Sequence, residues 1–219
     1  MATAHSSPPK EPPASSKEEV VAEFRRRSLI QAACHVFGER GFEQATMDAI
    51  AEKAQVAKGT VYLYYPSKRA IYDAVFASGM SEIERLIGER VAAAATAREA
   101  IAGFVTVRTE YFQQHPDFFR VYVAEFARQV AAGADERSGC QLALERQTRA
   151  LQRVMEKAVA NGEVRSVDPE AAALAVFDMS KGLVGRRLLI GSRSSVQRDI
   201  AFLTDLIWSG LQPARGKKK

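Results

Sequence analysis

From about Ser16 or Lys17 onward the apolar residues recur at three- and four-residue spacing, and no stretch alternates with period two between hairpin turn signals. That pattern admits helices and excludes a sheet, so the chain reads as all-α. The punctuation is equally explicit. Gly41 ends a first helix carrying Leu29, Ile30, Ala33 and Phe37 on one stripe, with Cys34 beside them in the core. Thr46 caps a short segment with Ile50, Ala51 and Ala54, and Gln55, Val56 and Ala57 make a turn. Lys58-Gly59-Thr60 then opens a second short segment through Tyr65, closed by Pro66, and Ser67 caps the next helix. Thr96 and Glu99 form a capping box for a helix ending near His115, and Pro116 starts one that dissolves at Gly133. Further helices run from about Arg137 to Asn161-Gly162, from Asp168-Pro169 to Ile190 or Gly191, and from Ser194-Ser195 to near Gly210. The count is nine helices, three short and then six longer.

Two short helices joined by a three-residue turn fit a DNA major groove when the second opens with small and hydroxyl residues. The segment Lys58-Gly59-Thr60-Val61-Tyr62-Leu63-Tyr64-Tyr65 does so. Gly59 lets the backbone approach DNA closely, while Lys58, Thr60 and Tyr62 offer phosphate donors. Val61 and Tyr65 fall on the opposite face and lock the helix in place, leaving Leu63 and Tyr64 toward base edges or thymine methyl groups.

The segment closely resembles the DNA-binding half of the TetR family of transcriptional regulators. The matching residues are Gly41-Phe42, Thr46, Ile50, Ala51, Ala54, Val56, Lys58-Gly59-Thr60, Tyr62, Tyr64-Tyr65, Ser67-Lys68 and Ile71, at fixed spacing over about 45 residues. The chain departs from the pattern at Gln55, where glycine is common, at Ala57, often serine, and at Tyr65, more often phenylalanine. The loss at Ala57 removes one possible phosphate contact, so the resemblance carries that role only to Thr46, Lys58, Thr60, Tyr62, Tyr64 and Lys68, with the Lys68 ammonium aimed at a phosphate from the start of its helix.

The resemblance implies an N-terminal helix-turn-helix region at 21–68 and a helical ligand-binding and dimerisation region at 69–212. It also implies a homodimer on a double-stranded operator, with recognition helices about 34 Å apart, and an effector that shifts their separation. Phe104, Tyr111, Phe112, Phe118, Phe119, Tyr122 and Phe126, with Phe177 and Met179, line an apolar pocket on one reading and form plain core on the other. His115 could bind a polar group there, though its place before Pro116 suits a helix end. For the dimer, Ala171, Ala172, Ala173, Ala175, Gly182 and Gly185 allow close approach, and Leu203, Leu206, Ile207 and Trp208 supply apolar anchors. Burial of the same residues within one chain reads identically.

Composition limits the alternatives. The chain has 219 residues, 47% hydrophobic and 26% charged, enough for a core and ordinary for a soluble protein. No apolar run approaches the roughly 18 residues that cross a bilayer, so no membrane partner is expected. The opening MATAHSSPPKEPPASSKEE lacks the order of a secretory signal and reads, to about residue 20, as a disordered leader. Two cysteines, Cys34 and Cys140, fit neither a disulfide framework nor a zinc site, which points to a reducing cytoplasm. The net charge of +5 hints at an anionic partner, but Lys217, Lys218 and Lys219, in a basic tail at 213–219, supply three of those charges. No GxSxG, HExxH, Walker loop or GxGxxG occurs, and His5, His35 and His115 lack ligand spacing. No catalytic residue, metal or cofactor is therefore expected. An activator or ligand-blind regulator on the same fold stays open, and a purely protein-binding module leaves residues 58–60 without a purpose.

Overall fold

Helix starts in this chain are set by short polar side chains folding back onto the backbone. In the computed structural model, which describes residues 17–132 and 139–213, the Thr46 hydroxyl accepts from Ala49 N–H, that of Ser67 from Ala70 N–H and that of Ser195 from Arg198 N–H. The Asp168 carboxylate accepts from Glu170 and Ala171 ahead of Pro169. The Thr96–Glu99 box is reciprocal, although Glu99 reaches the N–H of Ala95, one residue earlier than the usual partner.

The resulting helices are α1 (Lys17–Gln44), α2 (Met47–Lys53), α3 (Lys58–Tyr64), α4 (Lys68–Ala92), α5 (Ala97–Gln114), α6 (Pro116–Ala132), α7 (Gly139–Ala160), α8 (Pro169–Gly185) and α9 (Val196–Leu211). No strand occurs among the described residues, and no helix there is long and apolar enough to cross a membrane.

Several boundaries need correcting. The first helix is not short: it spans 28 residues, with Gly41 at φ 73 and ψ 170 interrupting it where the stop was expected and a last turn continuing to Gln44. Lys17–Val20 is helical, so a leader reaching residue 20 overlaps α1. Residues 1–16, the segment containing Gly133 and Arg137, and most of the basic tail lie outside the described residues. α8 continues through a π-turn at Arg186–Ile190, closed by Gly191 at φ 92.

The core is organised around α5, which packs against α4, α7, α8 and α9 and buries Ile101, Phe104, Val105 and Phe112. Each such side chain contributes about 1.5–3 kcal/mol by leaving water. α1 packs against α6, α4 and α2. Tyr72 of α4 meets Phe37 and Phe42 of α1 edge-on at 5.0 Å, so α4 belongs to both halves of the molecule.

Candidate nucleic-acid interface and ligand cleft

α2 ends in a left-handed residue. Gln55 has φ 55, with Val56 N–H bonded to the Ala51 carbonyl and Gln55 N–H to that of Glu52, the Schellman closure usually made with glycine. This turn delivers α3 onto the surface. Only Val61 of α3 is buried, fixing the helix against the core of α1 and α2.

Successive helical residues rotate by about 100°, so the positions three and four after Val61 flank its inward face. Tyr64 accordingly packs inward, its ring 5.7 Å from the Arg26 guanidinium, and Tyr65 is the extended residue that ends the helix, with φ −136. The assignment of Tyr64 to base edges is thus corrected: its ring is half-buried against α1. Leu63 at 80% exposure and Tyr62 at 44% point outward together with Gly59, which faces open space. Thr60 is half-buried and Lys58 exposed. Lys58 Nζ pairs with Asp48 of α2 at 2.8 Å, a contact that raises its pKa. The Thr46 oxygen is occupied as the α2 cap, leaving its proton to donate.

Lys68 also departs from expectation. Its ammonium turns back onto α1, donating to the Glu43 carbonyl at 3.0 Å and sitting 4.6 Å over the Phe42 ring. In this position it closes the end of α1 instead of projecting toward a phosphate.

Of the residues expected around a pocket, Phe104, Phe112, Phe119, Tyr122 and Phe177 are buried and packed, and Phe126 and Met179 lie on the surface, Phe126 beneath Lys181. Tyr111 and Phe118 do line a space. It is a cleft of about 270 Å³ whose other walls include Ile30 and Cys34 of α1, Val75 of α4, and His115. Cys34 is therefore a half-buried wall of this cleft, not core, and burial pushes its thiol up to about 11. His115 caps α5 as expected, its ring 4.6 Å from that of Tyr111. At the same seam His35 Nδ1 of α1 lies 2.9 Å from Asp117 Oδ2 of α6.

Arg108 is a buried charge that the amino-acid pattern alone did not single out. It is 1% exposed, with Nε donating to Ser180 Oγ at 2.9 Å, Nη1 donating to Gln147 Oε1, and Nη2 meeting no acceptor. Burial lowers its pKa, opposed by the Tyr122 phenol and Asp178. The available signal was its place between Phe104 and Phe112, four residues from each on one helical face.

The expected dimer residues divide. Leu203 and Ile207 face inward, because α9 packs on α5 and α8 through that side, and Ala172 and Ala173 are buried as well. Ala175 and Gly182 of α8 are exposed, as is Leu206 of α9, joined outside by Phe202 and Met179.

The family model described as "Bacterial regulatory proteins, tetR family" matches residues 29–75, and that for "AefR-like transcriptional repressor, C-terminal domain" matches residues 105–201. The chain belongs to the TetR family. It is a DNA-binding transcriptional regulator. Among TetR-family relatives, it is 21% identical to the uncharacterized HTH-type transcriptional regulator YhgD of Bacillus subtilis (strain 168), over 73% of this chain and 82% of that one. It is 36% identical to the fatty acid metabolism regulator protein of the same organism, over 34% of this chain and 38% of that protein. The solved structure of the transcriptional regulator FadR from Bacillus subtilis in complex with stearoyl-CoA superposes with a TM-score of 0.74 at 23% identity. That match covers 84% of this chain and 98% of the other.

Proposed function

We propose that this TetR-family protein is a cytoplasmic repressor that binds a palindromic operator as a homodimer and is released by a small, mainly apolar ligand. The observation that carries this reading is the position of the cleft. It lies between α1, on which α2 and α3 are mounted, and α4, α5 and α6 of the other half. Packing at that seam is close: a Cβ on Gly38 of α1 would stand 2.7 Å from the Cβ of Asp117. A ligand that swells the cleft must displace α1 against α6, and with it the recognition helix.

In this reading Gly59 and Leu63 face the base edges, and Lys58, Thr60, Tyr62 and the Thr46 hydroxyl meet phosphates, Lys58 by exchanging Asp48 for DNA. Residues 21–68 form the DNA-binding region and 69–212 the regulatory one, with the start of α4 shared between them. The exposed apolar residues of α8 and α9 supply the dimer contact. The relatives named for fatty acid metabolism and for a bound stearoyl-CoA favour an effector with an acyl body.

Selection of binding sites from a random duplex pool at near-physiological salt tests the reading. The expected product is an inverted repeat with half-sites about one helical turn apart, released when an apolar effector is added. Recovery of unrelated sequences would remove the specific-operator reading, and an operator complex indifferent to every apolar molecule would remove the ligand.

A further inference from the structure

Buried arginines in proteins are paired with carboxylates, because an unpaired charge held away from water costs several kcal/mol. Arg108 breaks that rule. Its guanidinium carbon lies 4.0 Å from the Phe177 ring centroid, 5.8 Å from that of Phe104 and 5.7 Å from that of Phe112. Its hydrogen-bond partners, Ser180 and Gln147, are neutral, and so is the Tyr122 phenol beside it. Two other charged residues are fully buried among the described ones, and both are engaged elsewhere: Glu125 with Arg128 and Gln129, Asp199 with Arg186 and Arg187. The nearby Asp178 is exposed and already paired with Lys181.

Arginine cannot relieve this by losing its proton, so the site holds a fixed positive charge with an unused N–H donor pair on Nη2. A purely structural fork tying α5 to α7 and α8 would be served as well by a neutral donor. What the arrangement lacks is an anion.

We propose that Arg108 is the headgroup site of the effector, and that the effector is a monocarboxylate with an apolar body. This rests on the apolar-ligand reading above and narrows it. A carboxylate matches one guanidinium in charge and planar shape, whereas a phosphate dianion would bring a second charge that no other fully buried cation among the described residues balances. An aromatic stack connects the two parts of the site. Phe112 lies against Arg108 and stacks at 6.1 Å on Phe118, which lines the cleft. Phe118 in turn rests on the bare face of Gly79, where an added Cβ would come within 2.2 Å of the ring. The apolar body takes the place of this ring stack and reaches the cleft at α1, so headgroup capture in the regulatory half is converted into pressure on the DNA-binding half.

The test is calorimetric titration of the full chain with decanoate, decan-1-ol and decyl phosphate, together with operator release by each. Decanoate is expected to bind about ten- to a hundredfold more tightly than decan-1-ol, the range set by one charge-assisted hydrogen bond, and more tightly than decyl phosphate. Arg108→Met removes a buried charge without leaving a void. It should fold and lose the preference for decanoate over decan-1-ol. Arg108→Lys should keep a reduced preference.

Equal binding of decanoate and decan-1-ol by the wild-type chain would overturn the headgroup site while leaving the apolar-ligand reading standing. That comparison does not depend on how any variant folds. A preference retained in Arg108→Met would also overturn it, and tighter binding of decyl phosphate would overturn the monocarboxylate assignment. If none of the three binds, the headgroup site falls as well, and the apolar-ligand reading is left to its own test.

Discussion

Lys68 Nζ donates to the carbonyl oxygen of Glu43 at 3.0 Å, so the first residue of α4 closes the last turn of α1. The same ammonium stands over Phe42, and the two contacts hold together the helices that carry the recognition element. Lys68→Ala should therefore lower stability by about 1–2 kcal/mol, one net hydrogen bond plus a cation–π contact, seen as an earlier urea midpoint. The salt dependence of operator binding should stay unchanged. A fall of about one unit in that slope would show instead that the ammonium swings out to a phosphate on DNA.

Tyr64 and Leu63 are adjacent in sequence but differ in exposure, Leu63 standing out and Tyr64 half-buried. Leu63→Ala should cost about 1–3 kcal/mol on the preferred operator, with little change on unrelated DNA, because it removes an exposed group at the reading face. Tyr64→Ala should mainly destabilise the fold by uncovering α1 near Arg26. Melting curves and competition binding on the same two variants separate these outcomes. A Tyr64 variant that melts like wild type yet reads DNA differently would restore its place among the base contacts.

Gln55 occupies a left-handed position that costs a side-chain-bearing residue about 1 kcal/mol. Gln55→Gly relieves that strain while adding freedom to the unfolded chain, so a net gain of up to about 1 kcal/mol is expected. Gln55→Val, β-branched at the same φ, should destabilise. Paired unfolding curves give the sign of each.

The turn at Gln55 is set by its neighbours in the chain, as the helix caps are. Helix caps are local, so Thr46, Ser67, Thr96, Asp168 and Ser195 could be placed from their neighbours alone, and Gly41 and Gly162 mark real left-handed breaks. Whether a residue faces inward depends on which helix arrives from elsewhere in the chain. Tyr64 packs inward because Arg26, 38 positions earlier, covers its ring. For Leu203 and Ile207 the dimer surface and the interior read identically, because nothing local reveals that α9 lies on α5. Arg108 was legible as a charge in an aromatic stripe, but its missing partner appears only once α7 and α8 are in place.

Asp199 binds together the loop between α8 and α9. Its carboxyl is held down to about 2, chiefly by the Ser194 hydroxyl and then by Arg187 and Ser192, against a burial effect that acts the other way. Since the folded value lies below the usual carboxylate value, the stability it contributes is present above about pH 4 and is lost as pH falls toward 2. Asp199→Asn should lower the melting temperature near neutral pH by leaving Arg186 and Arg187 face to face. The gap from wild type should narrow in acid, and a gap independent of pH would exclude the carboxylate as its source.

Leu203 and Leu206 test the dimer surface, because they sit three residues apart on α9 and face opposite environments. Leu203, 7% exposed, packs into the interior, so Leu203→Ala should cost about 2–5 kcal/mol of stability through the cavity it leaves. Leu206, 51% exposed, shares the outer face with Phe202 at 69%. A carboxylate there cannot be buried against a second copy without losing its water, whereas on a monomer it is solvated freely. Leu206→Asp should therefore leave each chain folded but shift sedimentation from dimer to monomer and weaken binding to an inverted repeat far more than to a half-site. A Leu206→Asp protein that still sediments as a dimer would move the interface away from this face of α9.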